Sequence, residues 1–395
     1  MRDPGIVEQE GGPLQQPLIW AEIDLNAIAH NVKELRRITN SKARVMAVVK
    51  ANGYGHGSVE VARTALANGA QWLGVARLHE AVVLREAGLE APILIFGYTP
   101  PEEVATLIAY DLAQTVYSVA AAQAFSEQPA SKGHKIRVHL KVDTGMGRLG
   151  FLPAALAADP SVSEDLVRQI GEIYRLPGIQ IEGIFTHFAT SDSADKDYAL
   201  RQLDLFRQVL ARLAAAGLDP PLKHAANSAA VIDLPESHLD MVRAGIAIYG
   251  LYPSHEVGTD RIRLKPAMRL KSRIIHVKRV PAGFKVSYGI TYETSKPTTI
   301  ATVPVGYADG LNRRLSSRGN MLVHGQRAPI VGRICMDLTM LDVGHLPDVA
   351  IGDEAVVFGH QGDAHIHVDE IAGVLDTINY EILTSISARV PRVYL

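Results

Sequence analysis

Eight short apolar runs, regularly interrupted by helical patterns, occupy the stretch from Val45 to Tyr249 and constrain the fold before any motif is considered. They are Val45–Val49, Trp72–Ala76, Ile93–Phe96, Ala113–Tyr117, Ile136–Val142, Ile179–His187, Leu222–Ala226 and Met241–Tyr249. Amphipathic helical spacing fills most of the gaps: Val59–Asn68, Leu78–Ala87, Glu102–Ala109, Val119–Phe125, Glu164–Tyr174 and Tyr198–Ala215. Strands alternating with helices imply a parallel sheet. Eight such units in this length predict an α/β barrel of the (β/α)8, TIM type. The alternative is an open doubly wound sheet, which needs a glycine-rich phosphate turn after its first strand. Gly53-Tyr54-Gly55-His56-Gly57 has the wrong spacing for that turn, and Ala76-Arg77 stand where a ribose-binding acid would be.

The flanks differ in texture. Met1 to Gln16 is polar and Gly/Pro-rich, without the apolar core of a secretory signal, and reads as a flexible tail. Trp20–Leu25 alternates like a strand, and Asp24-Leu25-Asn26 then caps a helix running to about Thr39. Beyond Gly258 come short β-type runs separated by Gly, Pro and Asp turns: Val277–Val280, Thr299–Pro304, Met321–Val323, Ala328–Ile334, Met340–Val343 and Glu354–Phe358. A helix over Val368–Asn379 follows. The expected division is a tail over 1–16, the barrel over 17–257 and a mostly β C-terminal domain over 258–395.

Bulk properties exclude more than they assign. A net charge of -2 gives no basis for a nucleic-acid partner or an anionic membrane surface. No apolar run reaches membrane-spanning length. Cys335 is the only cysteine, so no disulfide forms within the chain, and a reducing, cytoplasmic setting is expected.

In such barrels the chemistry collects at the C-terminal ends of the strands. Those ends carry Lys50 after the first run, then Lys141, Asp143 and Arg148 around the fifth, and His187 at the sixth. His224, Asn227 and Ser228 follow on the seventh, and Arg243, Gly245 and Ile246 on the eighth. A lysine at the mouth of a buried strand is suited to Schiff-base chemistry, because desolvation frees its amine; the bland reading is a lysine that snorkels to water. The loops after strands seven and eight are where these barrels commonly hold phosphate. Asn227-Ser228-Ala229-Ala230 opens a short helix, and Gly245 lets backbone approach closely. A lysine and a phosphate pocket in one barrel mouth point to pyridoxal 5'-phosphate. For Arg243 the competing reading is a rim ion pair with Asp240, and for the histidines a satisfied buried imidazole. His365-Ile366-His367 reads as surface, and no metal-ligand spacing occurs elsewhere.

The chain resembles the alanine racemase family of fold-type III pyridoxal-phosphate enzymes from about Leu18 to Leu395. The resemblance is carried by Val48-Val49-Lys50-Ala51-Asn52-Gly53-Tyr54-Gly55-His56-Gly57, by Leu140 through Gly150 (LKVDTGMGRLG) and by His224-Ala225-Ala226-Asn227-Ser228. Val242-Arg243-Ala244-Gly245-Ile246, Val286-Ser287-Tyr288-Gly289 and Gly306-Tyr307-Ala308-Asp309-Gly310 continue it. Gly332 through Asp337 (GRICMD) and Thr377-Ile378-Asn379-Tyr380-Glu381 complete it in order. It implies interconversion of L- and D-alanine by two bases, supplying D-alanine for bacterial peptidoglycan, in a homodimer with shared sites. Lys50 would hold the cofactor and act on one face of the substrate, and Tyr288 on the other. Without the resemblance Tyr288 reads as a packed tyrosine in an apolar strand.

The resemblance also places Arg243 against the pyridine nitrogen and His187 beneath the ring, with His224 as a further supporting group. Tyr54, Ser228, Gly245, Ile246 and Tyr380 match the phosphate positions. Arg148, Met336 and Tyr307 match residues near the substrate carboxylate and entrance. Lys141 matches a lysine carried as its carbamate, an anion that would pair with Arg148. Cys335, beside Met336, lacks a positioned base and is not read as a nucleophile. Two departures, Leu311-Asn312-Arg313 and the cysteine-free Glu381-Ile382-Leu383-Thr384-Ser385, bear on substrate breadth. The competing activities are a broader racemase acting on serine or larger residues, a decarboxylase of basic amino acids, and a cofactor carrier without turnover.

Overall fold

The structure, a computed structural model, describes residues 17–128, 133–153 and 166–395. The expected tail over 1–16 and the first residues of the helix expected from Glu164 lie outside the described residues. The chain forms two compact units. One comprises Ile23–Met268 with Asn379–Thr384 and Tyr394–Leu395; the other comprises Arg269–Ile378 and Ser385–Val393 with the described residues up to Glu22.

The first unit is the barrel. Strands Arg44–Val48, Trp72–Val75, Ile93–Ile95, Ala113–Val116, Ile136–Lys141, Ile179–Phe185, Leu222–His224 and Met241–Ala244 pair in parallel around a closed ring. Closure comes from Arg44 to Ala47 pairing with Met241 to Ala244. These strands read as unbroken apolar runs because crossover helices bury their outer face as well as the inner one. Inside, Met46, Trp72, Leu94, Ala113, Leu222 and Met241 form one apolar cluster. The helix Leu25–Ile38 starts where the sequence places it, with the Asp24 carboxylate accepting the Ala27 N–H at 3.0 Å.

Two departures matter for the site. The run expected to extend to Tyr249 is a strand only to Ala244; Ile246–Tyr249 is a 3-10 helix. The Ser228 hydroxyl accepts the Gly245 N–H at 2.8 Å and so draws the backbone away from the strand. The turn after Lys50 is left-handed: Ala51, Asn52, Gly53 and Tyr54 all have φ between 50° and 60°. Only one of the four is glycine, so the conformation is strained and must be held from outside.

The second unit is mostly β. Its largest sheet runs in the order Gln326–Pro329, Asn320–Val323, Glu354–Gln361, Met268–Arg273, Ile19–Ile23 and Arg392–Tyr394. A three-stranded sheet joins His276–Val280, Thr298–Val303 and Thr339–Asp342. The strand near Trp20, expected to open the barrel domain, therefore belongs to this sheet, and Asn379–Thr384 belongs to the barrel unit. The run expected over Ala328–Ile334 leaves the sheet after Pro329; at Gly332 φ is 70° and a Cβ would lie 2.7 Å from the Val286 carbonyl. The helix expected over Val368–Asn379 stops at Leu375, where Asp376 turns left-handed, and a second helix spans Asn379–Thr384. Among the described residues no helix is long and apolar enough to cross a membrane.

Candidate active site

The left-handed turn that carries Lys50 is fastened at both ends. The Glu80 carboxylate accepts the Ala51 N–H at 2.6 Å through one oxygen. Its other oxygen accepts Ala76 N–H at 2.8 Å and Arg77 N–H at 3.0 Å. The Asn52 side chain accepts the Ser58 N–H at 3.0 Å and ties the turn to the next helix. Lys50 is thus presented to a cavity of about 640 Å³ at the C-terminal mouth of the barrel. Burial, then the charges of Arg148 and Arg243, lower its pKa, while Glu80 opposes them. A lysine so placed holds a free amine at lower pH than an exposed one.

Tyr54, Asn227, Ser228, Gly245, Ile246 and Tyr380 line the same cavity. Gly245 is needed for space: a Cβ there would lie 2.7 Å from the Tyr54 hydroxyl. The Tyr54 ring packs against Tyr249, with centroids 4.8 Å apart, and Tyr380 lies 6.0 Å away. Burial pushes the Tyr54 and Tyr380 hydroxyls up, so both stay protonated donors. Asn227 caps the helix Ser228–Asp233: its side-chain oxygen accepts from Ala230 N at 3.0 Å and from the Ser191 hydroxyl at 2.9 Å.

Cations gather elsewhere on the cavity wall. Arg243 is only 4% exposed and does not pair with Asp240, whose carboxylate takes the Lys223 N–H at 2.8 Å. It donates to the Thr186 and Ala225 carbonyls at 2.8 and 2.9 Å, to His224 Nδ1 at 2.9 Å and to His187 Nδ1 at 3.1 Å. The rim ion pair is replaced because the side chain points inward, where carbonyls and imidazoles supply the acceptors. Burial first, and Arg148 second, depress its pKa to about 9. His187 and His224 are held well below the usual imidazole range, chiefly by burial and next by Arg243. Lys141, with Nζ 4.6 Å over the Phe185 ring, is driven far down by burial, Arg243 and Arg148. Arg148 sits on a turn whose Gly145, Met146 and Gly147 N–H groups all donate to the Asp143 carboxylate. Asp143 is therefore a loop fastener.

Tyr288, Tyr307 and Met336 belong to the second unit, where the structure gathers their backbones. Tyr307 N donates to Cys335 O and Ala308 N to Met336 O, each at 3.1 Å. The Ser287 hydroxyl donates to the Arg333 carbonyl at 2.6 Å and fixes the turn before Tyr288. Tyr288 is in a 3-10 turn, 71% exposed, and not in an apolar strand as its neighbours suggest, because Ser287 and Gly289 both take positive φ.

Several participants escape a sequence reading. Phe185 stacks on His224 with ring planes 3° apart. Tyr249 donates to the Val48 carbonyl at 2.9 Å, beside the lysine turn. Glu80 and His139 carry no motif, and each acts through contacts that only the fold creates: Glu80 with the Ala51, Ala76 and Arg77 N–H groups, His139 with His224 and Glu182. The inward phase of His139 on its strand is the one available signal.

Family models agree with this layout. That for the alanine racemase N-terminal domain matches residues 23–253, and that for the C-terminal domain residues 267–394. The chain is 57% identical to the alanine racemase of Desulfosudis oleivorans over 95% of its own length and 96% of that protein's. It is 52% identical to that of Methanococcus maripaludis, covering 95% and 98% of the two chains. Among solved structures it superposes on Clostridium difficile alanine racemase with a TM-score of 0.89, at 42% identity and 96% coverage of both chains. The Bacillus anthracis enzyme with bound L-Ala-P gives a TM-score of 0.89 at 39% identity, over 97% of this chain and 96% of that one.

Proposed function

From this chain's membership of the alanine racemase family, we propose that it interconverts L- and D-alanine with pyridoxal 5'-phosphate, using Lys50 and Tyr288 as its two bases. One observation carries the cofactor reading. A lysine with a lowered pKa and a glycine that leaves room beneath a tyrosine hydroxyl share one cavity large enough for the group. Tyr54, Asn227, Ser228, Gly245, Ile246 and Tyr380 would hold its phosphate, with His187 beneath the ring. When bound, the cofactor supplies an electron sink that makes the substrate Cα–H acidic.

The chain's residues do the rest. Lys50 anchors the cofactor and moves the Cα proton on one face; Tyr288 gives or takes it on the other. Arg243 keeps its proton, so it would donate a hydrogen bond to the ring nitrogen without handing the proton over, which disfavours side reactions such as transamination. Arg148 and the Met336 N–H orient the substrate carboxylate, and Tyr307 narrows the entrance. Lys141, whose pKa burial and the neighbouring Arg243 and Arg148 hold well below the usual lysine range, adds through its free amine to CO2, forming an N–C bond and releasing one proton. The resulting carbamate is an anion that would pair with Arg148. Two chains pair so that each Tyr288 serves its partner's Lys50, and the cytoplasmic D-alanine so made feeds peptidoglycan.

The test is direct. The purified protein with cofactor should be yellow, borohydride should fix the label on the peptide containing Lys50, and the circular dichroism of L-alanine should decay faster than that of L-serine or L-lysine. Label on another lysine overturns the anchor; decay led by serine or lysine overturns the substrate.

A further inference from the structure

The barrel interior carries a polar chain that the mechanism above leaves unused. Starting at the cavity, Arg243 Nη1 donates to His224 Nδ1 at 2.9 Å. His224 Nε2 lies 2.8 Å from His139 Nδ1. His139 Nε2 then faces Glu182 Oε2 at 3.5 Å, and Oε1 of that carboxylate is 3.4 Å from Arg137 Nη1. Both imidazoles have no exposed surface, and among the described residues neither His139 Nε2 nor Glu182 Oε2 has a hydrogen-bond partner elsewhere.

Donor–acceptor chemistry fixes the direction of this chain. A guanidinium has no acceptor, so His224 Nδ1 must present a lone pair and its proton must sit on Nε2. That N–H donates to the lone pair of His139 Nδ1, which places the His139 proton on Nε2, aimed at Glu182. An imidazolium at either position would set donor against donor. The backbone serves the contact twice. The register of Ile179–Phe185 breaks so that Ile181 pairs with Val138 and Gly183 with His139, leaving Glu182 as the extra residue. A bulge of this kind re-aims a side chain. At Gly183 a Cβ would lie 2.5 Å from His139 Nδ1, so the ring needs a glycine there. The described partners of Arg243 are carbonyls and imidazoles, and Glu182 is the carboxylate at the far end of the histidine chain, two rings away.

We propose that His139 and Glu182 are positioning residues, an imidazole–imidazole–carboxylate relay that locks the His224 tautomer and so holds Arg243 as a pure donor toward the cofactor's ring nitrogen. This rests on the reading of Arg243 given above. Neither residue lines the cavity, so a substitution at either acts only through the chain.

The experiment combines imidazole nitrogen NMR of the full-length protein, labelled on histidine, with kinetics. In the wild type, with and without pyridoxal 5'-phosphate, His224 and His139 should both be neutral Nε2–H tautomers; an Nδ1–H tautomer or an imidazolium at either overturns the relay. His139→Leu removes the acceptor and should cost His224 that signature, lowering kcat about tenfold or more with KM changed less than twofold. His139→Asn, whose amide oxygen can take the Nδ1 role, should restore the tautomer and much of kcat. Glu182→Gln keeps shape and removes charge, covering a leucine variant that fails to fold; its His139 Nε2–H proton signal should move upfield. An unmoved signal overturns the proposal. Arg243→Lys separates the two readings. If it alters the bound cofactor's absorbance and kcat while folded His139→Leu alters neither tautomer nor kcat, the relay fails and Arg243 stands. If Arg243→Lys is silent, the ring-nitrogen reading fails, and with it the relay's purpose.

Discussion

The barrel residues of the site include buried cations, whereas Tyr288 and its apolar neighbours in the second unit are exposed. Lys141 and Arg243 are 7% and 4% exposed, against 71% for Tyr288, 57% for Ile290 and 52% for Met336. Burying a cation costs free energy unless partners satisfy it. The barrel meets that cost with carbonyls and neutral imidazoles around Arg243 and with a lowered pKa at Lys141. Its half of the site is organised within one chain. The surface bearing Tyr288 has the opposite character: a turn fixed by Ser287 presents a tyrosine and large apolar neighbours to solvent.

The comparison breaks first at Lys50 and Tyr288. The Lys50→Ala and Tyr288→Ala proteins should each lose activity by about 10²–10⁴-fold or more, the usual worth of a positioned acid or base. If Tyr288 serves the partner's site, a mixed dimer has one doubly lesioned site and one intact site. Random reassortment makes about half the dimers mixed, so roughly a quarter of wild-type activity should return. Reassortment proven by differently tagged chains, with no recovery, would place both residues in one chain's site.

Lys141 tests how the barrel meets its cost. A carbamate on Lys141 would form a charge-assisted bond with Arg148, worth about 1.5–3 kcal/mol. Lys141→Ala should therefore lower activity about 10- to 100-fold, and added acetate should restore part of it. An unmodified ammonium at high resolution near neutral pH, with no rescue by acetate, would sink the carbamate.

The same contrast explains what the sequence made legible. Period-2 and period-3.6 patterning reports burial along one element, so all eight barrel strands could be placed from the chain alone. The anchor residues could be placed too, because strand ends are fixed by the same pattern: Lys50, Lys141, His187, Ser228 and Arg243 do share one cavity. Patterning fails where side-chain or glycine contacts reshape backbone, as at Gly245 after the last strand and at Gly332 in the second unit. It also fails for Tyr288, whose neighbours read as a strand while two positive φ values make a turn. Glu80 and Glu182 are ordinary surface-type residues in sequence, and their roles arise from contacts to residues brought near only by folding.

Gly245 measures how tightly the barrel's half is built. A methyl group there meets the Tyr54 hydroxyl at 2.7 Å and forces the ring aside. Overpacking of this kind costs about 1–3 kcal/mol, so Gly245→Ala should weaken cofactor binding about tenfold, read by fluorescence titration. The far-ultraviolet circular dichroism should be unchanged. Unaltered affinity would remove Gly245 and Tyr54 from the phosphate site.

The smallest effect is on stability, and its sign follows from the buried imidazoles. His139, His187 and His224 have folded pKa values below the ordinary 6.5, mainly through burial. The unfolded chain therefore binds more protons than the folded one as pH falls through 6.5. Their contribution is fully present above that pH and is lost progressively below it, down to the folded values. Between pH 7.5 and 6.0 each of these imidazoles should therefore lose part of its contribution to stability. The loss belongs to the barrel, where all three residues sit. Hydrogen exchange at the two pH values, corrected for intrinsic rate, should show barrel amides losing more protection than those of the strand Thr298–Val303 in the second unit. Equal loss in both units would mean that these imidazoles are not held neutral by the barrel, and the account of how it accommodates Arg243 would fall with them.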